Sequence, residues 1–585
     1  MLQIVVKREI PVDAALAEQW NGLVEQMERP QVFYTYEWAL AVSRAYRDSL
    51  RPFLCLAYEG EHLVGLAALA EMPGEPIAFL AGFTADYCDF VSHFRDRDRV
   101  VAAIFEALDH WGIRTLVLAN FPADSATAAV LRSAAHSRRY KVFSRPAYEC
   151  SQIQLGCAEQ REAVRVMVRS KQMSRRYLRA MAKVASVSVV HLKSSEELAL
   201  ELPKFARKHV ARFLATGRIS NLVRTERREF LEELATLLSQ RGWIALSCLA
   251  VGERAVAWNY GFQYGPTWFW YQPTLDGEFQ QFSPGFCLLT KIAEEACASA
   301  NWDVIDLGLG AEAYKERLSN GTRTTLHITA TKSRRVHWQA TARYLAVTWV
   351  SRRPSREKFV RSAVAAASSV RENWRRRLLG RWLWGRFRRL VGAREEVLFH
   401  EWPARSAQPG PRCGPFQLQP LSEDLLADAA MQCQDDAETL AYLLRAARRL
   451  AAREGRGFAL VDQSGAPLHF AWIGPFEGFL MSELCHQLQP PAPGAQLIYD
   501  CWTPHRLRGR GYFSLTISEL AEKYAAQHGV WIFCAATNHA SRRGIEAAGF
   551  IRRFSLKGKT GPIGRGVVQV PAKSLGRAAA KASAA

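Results

Sequence analysis

The sequence predicts an α/β protein of three similar units. Two lobes stand in tandem at 1–155 and 156–335, a basic helical linker follows at 336–410, and a third unit spans 411–570 before a tail at 571–585. Three observations carry this reading. Apolar runs joined by tight turns recur about 190 residues apart, the repeat of a strand–turn–strand pattern. A glycine-rich loop lies between an apolar strand and an amphipathic helix near residue 510. The excess positive charge gathers in one segment between the second and third units.

The first lobe opens with strand-like Phe53–Tyr58 and His62–Leu69 around the turn Glu59-Gly60-Glu61. A helical run over Val100–His110 then leads into the apolar strand Thr115–Ala119. A basic helical stretch, Ser170–Ala185, carries Lys171, Arg175, Arg176, Arg179 and Lys183. The second lobe repeats the first lobe's pattern with Trp243–Ala250, Ala255–Gln263 and Trp268–Tyr271, turning at Gly252-Glu253. In Ser283-Pro284-Gly285 the serine stands at an N-cap and proline at the first helical position, and Leu289, Ile292 and Ala296 continue one face.

The chain has 585 residues, 49% hydrophobic and 23% charged, which excludes a disordered, collagen-like or disulfide-scaffold protein. Apolar runs such as Leu63–Ala70 and Tyr344–Val350 are far shorter than the ~18 residues of a membrane span. The first residues show no basic stretch followed by an apolar one, so no secretory signal is expected and the expected location is the cytoplasm. Twelve cysteines stand singly, without CxxC pairs or finger-like Cys/His spacing, so they read as reduced core thiols and no metal site is expected.

Of the net charge of +21, the stretch 332–394 supplies +16, with 18 Lys/Arg against Glu357 and Glu372. Within it, Arg375, Arg376, Arg377, Arg381, Arg386, Arg388 and Arg389 alternate with Leu378, Leu379, Trp382, Leu383, Trp384, Phe387 and Leu390. Such a helix fits peripheral contact of 365–395 with an anionic membrane surface, packing between domains, or nucleic acid. No nucleic-acid module accompanies it, which makes nucleic acid the weakest of the three.

In the third unit the strand Leu497–Trp502 and Thr503-Pro504 precede Arg506-Leu507-Arg508-Gly509-Arg510-Gly511. A helix with Phe513, Ile517, Leu520 and Tyr524 on one face follows and ends by Gly529. Strand, glycine loop and helix together aim backbone N–H groups and a helix dipole at an anion. Downstream come the strand Trp531–Ala535, Asn538-x-x-Ser541 and Ile545-Glu546-x-x-Gly549-Phe550. Over 416–556 this series resembles the GNAT acyl-CoA transferases. The resemblance implies a coenzyme A pyrophosphate on Arg506, Arg508, Gly509, Arg510 and Gly511, with Asn538 and its helix lining the pantetheine arm. It also places a backbone N–H at Cys501 or Trp502 beside the thioester carbonyl. Ile545 stands where many members carry a tyrosine that protonates the leaving thiolate.

Residues 1–335 resemble a second GNAT branch, the CelD/BcsL acetyltransferases associated with cellulose and exopolysaccharide synthesis. The likeness rests on Gln281-Phe282-Ser283-Pro284-Gly285 and on D-x-x-x-G-x-E-x-Y-K, here Asp306, Gly310, Glu312, Tyr314 and Lys315. His209 and Arg212 match a further element, with Phe213 in place of a tryptophan. Paired lobes are similar also to Fem-type transferases. The resemblance implies acyl-CoA binding near Ser283 and Gly285, with Asp306, Glu312, Tyr314 and Lys315 as catalytic candidates, Asp306 and Glu312 of them near the acceptor. Lys315 would bind acceptor charge or donor phosphate, and replacing Asp306 or Lys315 by Ala is expected to reduce turnover while leaving thermal stability close to wild type. Asp86 and Asp89 resemble a polar motif of the first lobe. His469 and Glu483 are weaker candidates.

The functional expectation is transfer of an acetyl or related acyl group from acetyl-CoA or another acyl-CoA to a sugar- or amine-bearing acceptor, in polysaccharide or envelope synthesis. The alternatives are a Fem-like transfer from aminoacyl-tRNA and a non-catalytic acyl-CoA-binding scaffold or sensor.

Overall fold

In a computed structural model, the structure describes residues 2–299, 301–310, 312–351, 394–403, 414–481, 484, 486–525, 529–559 and 567–571. The chain forms two compact units, Met1–Arg212 with Arg224–Arg353, and Phe213–Val223 with Pro354–Ala585. The segment 365–393, on which the membrane expectation rests, and Glu483 lie outside the described residues. No described helix is long and apolar enough to cross a membrane.

The first unit is built on one thirteen-stranded sheet. Its first half runs Gln3–Lys7, Arg51–Glu59, His62–Glu71, Ile77–Phe79 and Thr115–Pro122, and its far half runs from Val304–Leu309 through Thr267–Leu275, Arg254–Tyr264 and Ile244–Val251 to Val187–Leu192. Two strands join the halves. Lys141–Gln154 pairs with Gly321–Thr331 along most of its length and with Val304–Leu309 near its end. Gly321–Thr331, from the end of the second lobe, also pairs with Thr115–Pro122 of the first. The two lobes expected on either side of residue 155 thus exchange strands, and a cut there would break a continuous ladder. Long apolar strands such as Arg51–Glu59 are buried on both faces because helices cover the sheet. In the second lobe, Trp268, Trp270, Ile305 and Leu307 pack against Leu288, Leu289 and Ile292 of the helix Pro284–Ala298.

The second unit holds an eight-stranded sheet in the order Gln417–Pro420, Arg456–Val461, Pro467–Pro475, Gln496–Trp502, Val530–Ala535, Arg394–Glu401, Ile551–Lys559 and Val567–Pro571. Arg394–Glu401 corrects the expected boundary. It falls inside the segment read as linker, yet it pairs on both edges, with Val530–Ala535 and Ile551–Lys559. Its Val397, Leu398 and Phe399 are buried, and the basic residues before it had masked a short central strand.

Each half of the first sheet and the second sheet contain one parallel pair among otherwise antiparallel neighbours. These are Ile77–Phe79 with Thr115–Pro122, Thr267–Leu275 with Val304–Leu309, and Gln496–Trp502 with Val530–Ala535. A parallel connection needs a crossover, and in the last two pairs a helix supplies it: Pro284–Ala298 and Tyr512–Ala525.

Candidate active sites

In the first unit, the parallel ladder between Thr267–Leu275 and Val304–Leu309 stops at Phe269 and Asp306, while both strands run on. Asp306 is buried at this last rung. Its Oδ2 accepts from Tyr87 Oη at 2.8 Å and Gln152 Nε2 at 2.7 Å, and its Oδ1 accepts from the Gly308 N–H at 2.9 Å. Asp86, from the first lobe, lies alongside. Burial and the Asp306 charge push its carboxyl up to about 7, against the pull of Lys315 and Arg227. Asp89 serves a different purpose, since it accepts from Ser125 Oγ and the Phe90 N–H and ties its loop.

Lys315 departs from its expected role. The residue is 4% exposed, and its ammonium donates to Leu309 O at 3.0 Å and Gly310 O at 3.4 Å and pairs with Glu312 at 2.6 Å. Its charge clamps the loop after the strand, leaving none directed at an acceptor or a phosphate. Glu312 is exposed at the rim. Tyr314 accepts from Trp270 Nε1 at 3.2 Å, and burial pushes its hydroxyl up to about 12. His209 reaches Gln272, and Arg212 donates to Pro273 O, both on Thr267–Leu275. Arg227 donates to Tyr271 Oη at 2.7 Å, and Tyr271 in turn donates to Thr84 O. Ser283 occupies the N-cap of Pro284–Ala298 in a left-handed conformation, φ 44°, and its side chain makes no capping bond. A Cβ on Gly285 would meet only Leu275 Cδ2, at 4.0 Å, so the helix start faces open space.

In the second unit, a cavity of about 1110 Å³ opens where the parallel strands splay beyond Ile498 and Ile532. Cys501, Trp502, Arg508, Gly509, Arg510, Gly511, Asn538 and Ser541 line it. Gly509 and Gly511 have φ of 80° and 83°, a region that L-residues avoid, and the loop they form is exposed. Leu515 is the first residue of this turn whose N–H bonds back, to Gly511 O at 3.1 Å. The N–H groups from Gly509 to Ser514 find no acceptor among the described residues. These six residues line the cavity, so N–H groups without an acceptor among the described residues and the N-terminal end of the helix Tyr512–Ala525 stand at its wall.

Arg506 is exposed beside this loop, and Arg508 donates from Nε to Thr503 O and lies over the Trp502 ring at 5.1 Å. The Trp502 ring stacks on Tyr442 and its Nε1 donates to Thr439, so only its backbone is available to a ligand. Burial holds the Cys501 thiol protonated, leaving that residue too a backbone role. Asn538 caps the helix His539–Ala547 by accepting from the Ser541 N–H. Ile545 is wholly buried in the apolar core and has no proton to give.

His469 is held by Thr503 Oγ1 at 2.7 Å, and burial drives its imidazole down to about 3. The contact steadies the residue that also anchors Arg508. Asp500, at a bulge with φ 47°, accepts from Arg449 at 2.6 Å, and both line the cavity. The residues that sequence reasoning passed over — Tyr87, Gln152, Arg227, Gly308, Arg449 and Asp500 — carry no spacing signal. A non-glycine residue forced to positive φ is visible only in three dimensions.

Comparison with known proteins gives one family match: residues 168–316 fit the profile described as acetyltransferase (GNAT) domain. No curated protein sequence matches the chain. Among solved structures, FemX shares 10% identity at a TM-score of 0.41, covering 55% of this chain and 98% of its own. The C-terminal domain of a putative lysylphosphatidylglycerol synthetase from Agrobacterium fabrum shares 12% at 0.38, covering 56% and 95%. A tandem GNAT protein from the clavulanic acid biosynthesis pathway shares 14% at 0.33, covering 57% and 99%. The profile match contains the whole run from Asp306 to Lys315, together with Ser283 and Gly285, so residues 168–316 are a GNAT acetyltransferase domain.

Proposed function

We propose that the protein transfers an acetyl or related acyl group from acyl-CoA to an amino or hydroxyl acceptor, such as a sugar precursor of polysaccharide or envelope synthesis in the cytoplasm. The observation that carries this reading is the cleft of the second unit, where Gly509–Ser514, whose N–H groups have no acceptor among the described residues, line a cavity between splayed parallel strands. A diphosphate fits that donor array, with Arg506, Arg508 and Arg510 supplying countercharge. A pantetheine arm fits the open edges of Tyr499–Trp502 and Phe533–Ala535 beyond the last rung. A backbone N–H at Cys501 or Trp502 would polarise the thioester carbonyl. The thioester is already activated, so holding an acceptor beside it supplies much of the rate.

In the GNAT domain, the start of the helix Pro284–Ala298 takes the corresponding place, with Ser283 and Gly285 as donor-side residues. Asp306, Glu312 and Tyr314 lie on the acceptor side. A second reading applies to the second unit: it binds acyl-CoA without catalysing transfer, as a sensor or reservoir. Buried Ile545 favours it, because no side chain at that position can protonate a leaving thiolate. Peripheral attachment through 365–395 would bring either activity to an anionic membrane.

Calorimetric titration of the full chain with acetyl-CoA, with and without Gly511→Val, tests the acyl-CoA reading. Binding that the variant weakens supports it, and absence of binding refutes it. Release of coenzyme A thiol during incubation with an amine or sugar acceptor separates the catalytic reading from the sensor reading.

A further inference from the structure

We propose that Asp86, carried by the first lobe, is the proton acceptor for acyl transfer in the GNAT domain, with Asp306 as the residue that positions and tunes it. The inference rests on reading that domain as an acyl-CoA transferase, and it places a catalytic residue outside the segment that the family profile covers.

The geometry begins at the end of the parallel ladder. Asp306 forms its last rung, and two residues on, Gly308 turns with φ 70°. A Cβ at Gly308 would stand 2.7 Å from Asp86 Oδ2, so the absence of a side chain is what lets the Asp86 carboxylate lie against this strand end. Asp306 and Asp86 then divide the local donors unequally. Asp306 accepts three hydrogen bonds, from Tyr87, Gln152 and Gly308. Asp86 accepts none from the described residues, which act on it through burial and charge. Buried beside the Asp306 charge and without a hydrogen-bond donor among the described residues, the Asp86 carboxyl is pushed up to about 7.

The groups facing Asp86 come from five elements and its own loop. Asp306 raises it, while Lys315 and Arg227 lower it. Tyr271, Cys88 and Cys150 feel its charge. Lys315 is spent on Leu309, Gly310 and Glu312, and Arg227 on Tyr271 and Gln272, so neither cation forms an ion pair with Asp86. A second observation marks the cluster as incomplete. Arg227, 8% exposed, also has the Tyr46 hydroxyl beside it, yet its Nε and Nη1 meet no acceptor in hydrogen-bond geometry among the described residues. A carboxylate with no donor, within reach of the charge of a buried guanidinium that has N–H groups left over, is a polar cluster that the N–H or O–H of an acceptor would complete.

In the reaction, the acceptor nitrogen or oxygen attacks the acyl carbon and its proton passes to Asp86 Oδ. The C–S bond breaks with its electron pair on sulfur, and the coenzyme A thiolate takes a proton from solvent. Asp86 then loses its proton to solvent, which restores the starting state. Only ionised Asp86 accepts the proton, so the rate rises with pH through neutrality.

Two measurements on the full chain test this. Difference infrared spectra between pH 5 and 9 follow the carboxylic C=O band of the protein alone. We expect a buried carboxyl titrating near 7, absent in Asp86→Asn and moved to lower pH in Asp306→Asn, where the neighbouring charge is gone. Thiol release from acetyl-CoA, with water as acceptor, is expected to fall ~100-fold or more in Asp86→Asn and to lose its inflection near neutrality. Calorimetric affinity for acetyl-CoA should stay at the wild-type value. A titration that survives Asp86→Asn, or thiol release unchanged in that variant, overturns the assignment while leaving acyl-CoA chemistry in place. Wild-type protein that neither binds acetyl-CoA nor releases thiol overturns the acyl-CoA reading beneath it, even with the infrared titration present.

Discussion

Replacing Gly511 by valine separates the ligand-binding geometry of the loop from its stability. The Gly511 backbone lies at φ 83°, and no heavy atom beyond its chain neighbours stands within 4 Å of where a Cβ would sit. Valine therefore meets no steric wall in the folded protein. It meets only the left-handed conformation, which costs an L-residue ~1–2 kcal/mol and a β-branched one more. The loop escapes that cost by rotating, and rotation turns the Gly511 and Tyr512 N–H groups away from the cavity. Each hydrogen bond to a charged phosphate contributes ~1.5–3 kcal/mol, so losing two removes about 3–6 kcal/mol of binding. At 1.4 kcal/mol per tenfold, the dissociation constant for coenzyme A should rise by at least ~100-fold.

Unfolding should change by ~2 kcal/mol at most, because the loop is exposed and buries no apolar side chain. Calorimetry gives the affinity, and a urea curve on the same preparation gives the stability. The full chain is required, since a fragment beginning at residue 400 would cut the central strand Arg394–Glu401. Affinity within threefold of wild type, with the fold intact, would refute the argument that these N–H groups hold the diphosphate.

Three further outcomes follow from the same geometry. Lys315→Ala should destabilise by about 2–4 kcal/mol in urea unfolding, because it removes a buried ammonium from two carbonyls and Glu312. Lys315→Met should recover part of the loss by keeping the buried stem. The raised carboxyl of Asp86 favours the protonated folded state, so its contribution is full below 3.8 and is lost as pH climbs through about 7. The change amounts to about 4 kcal/mol at most, and Asp86→Asn should gain stability over wild type at pH 8 but not at pH 4 in urea titrations. Gly544→Ala would place a Cβ 2.6 Å from Phe513 Cδ1. It should force the helices Tyr512–Ala525 and His539–Ala547 apart at a cost of ~1–3 kcal/mol and weaken coenzyme A binding in calorimetry.

Local patterns made parts of this molecule legible in the sequence. The loop Arg506–Gly511 could be read because its pattern is contiguous: the glycines and the following helix lie within twenty residues, 506–525. Asp306, Glu312, Tyr314 and Lys315 were legible as a motif, and the family profile covers them. Their separate roles were not. Lys315 at a strand end reads as solvated, yet the loop folds over it and makes it a clamp. Charge identity is written in the sequence, but whether a charge is spent on carbonyls depends on which way the chain turns.

What only the tertiary structure decided are the partnerships between distant strands. Gly321–Thr331 enters the first lobe's sheet, and Arg394–Glu401 enters the middle of the second. A strand of eight residues with basic neighbours carries too little pattern to declare its partners, because backbone hydrogen bonds do not depend on side-chain identity. The approach of Asp86 to Asp306 across 220 residues of chain is of the same kind. It exists because Gly308 offers no Cβ at one point of a sheet assembled from both lobes. Composition and local periodicity determined the elements and the glycine loop between strand and helix. The long-range ladder, formed by backbone groups common to every residue, determined which carboxylates meet.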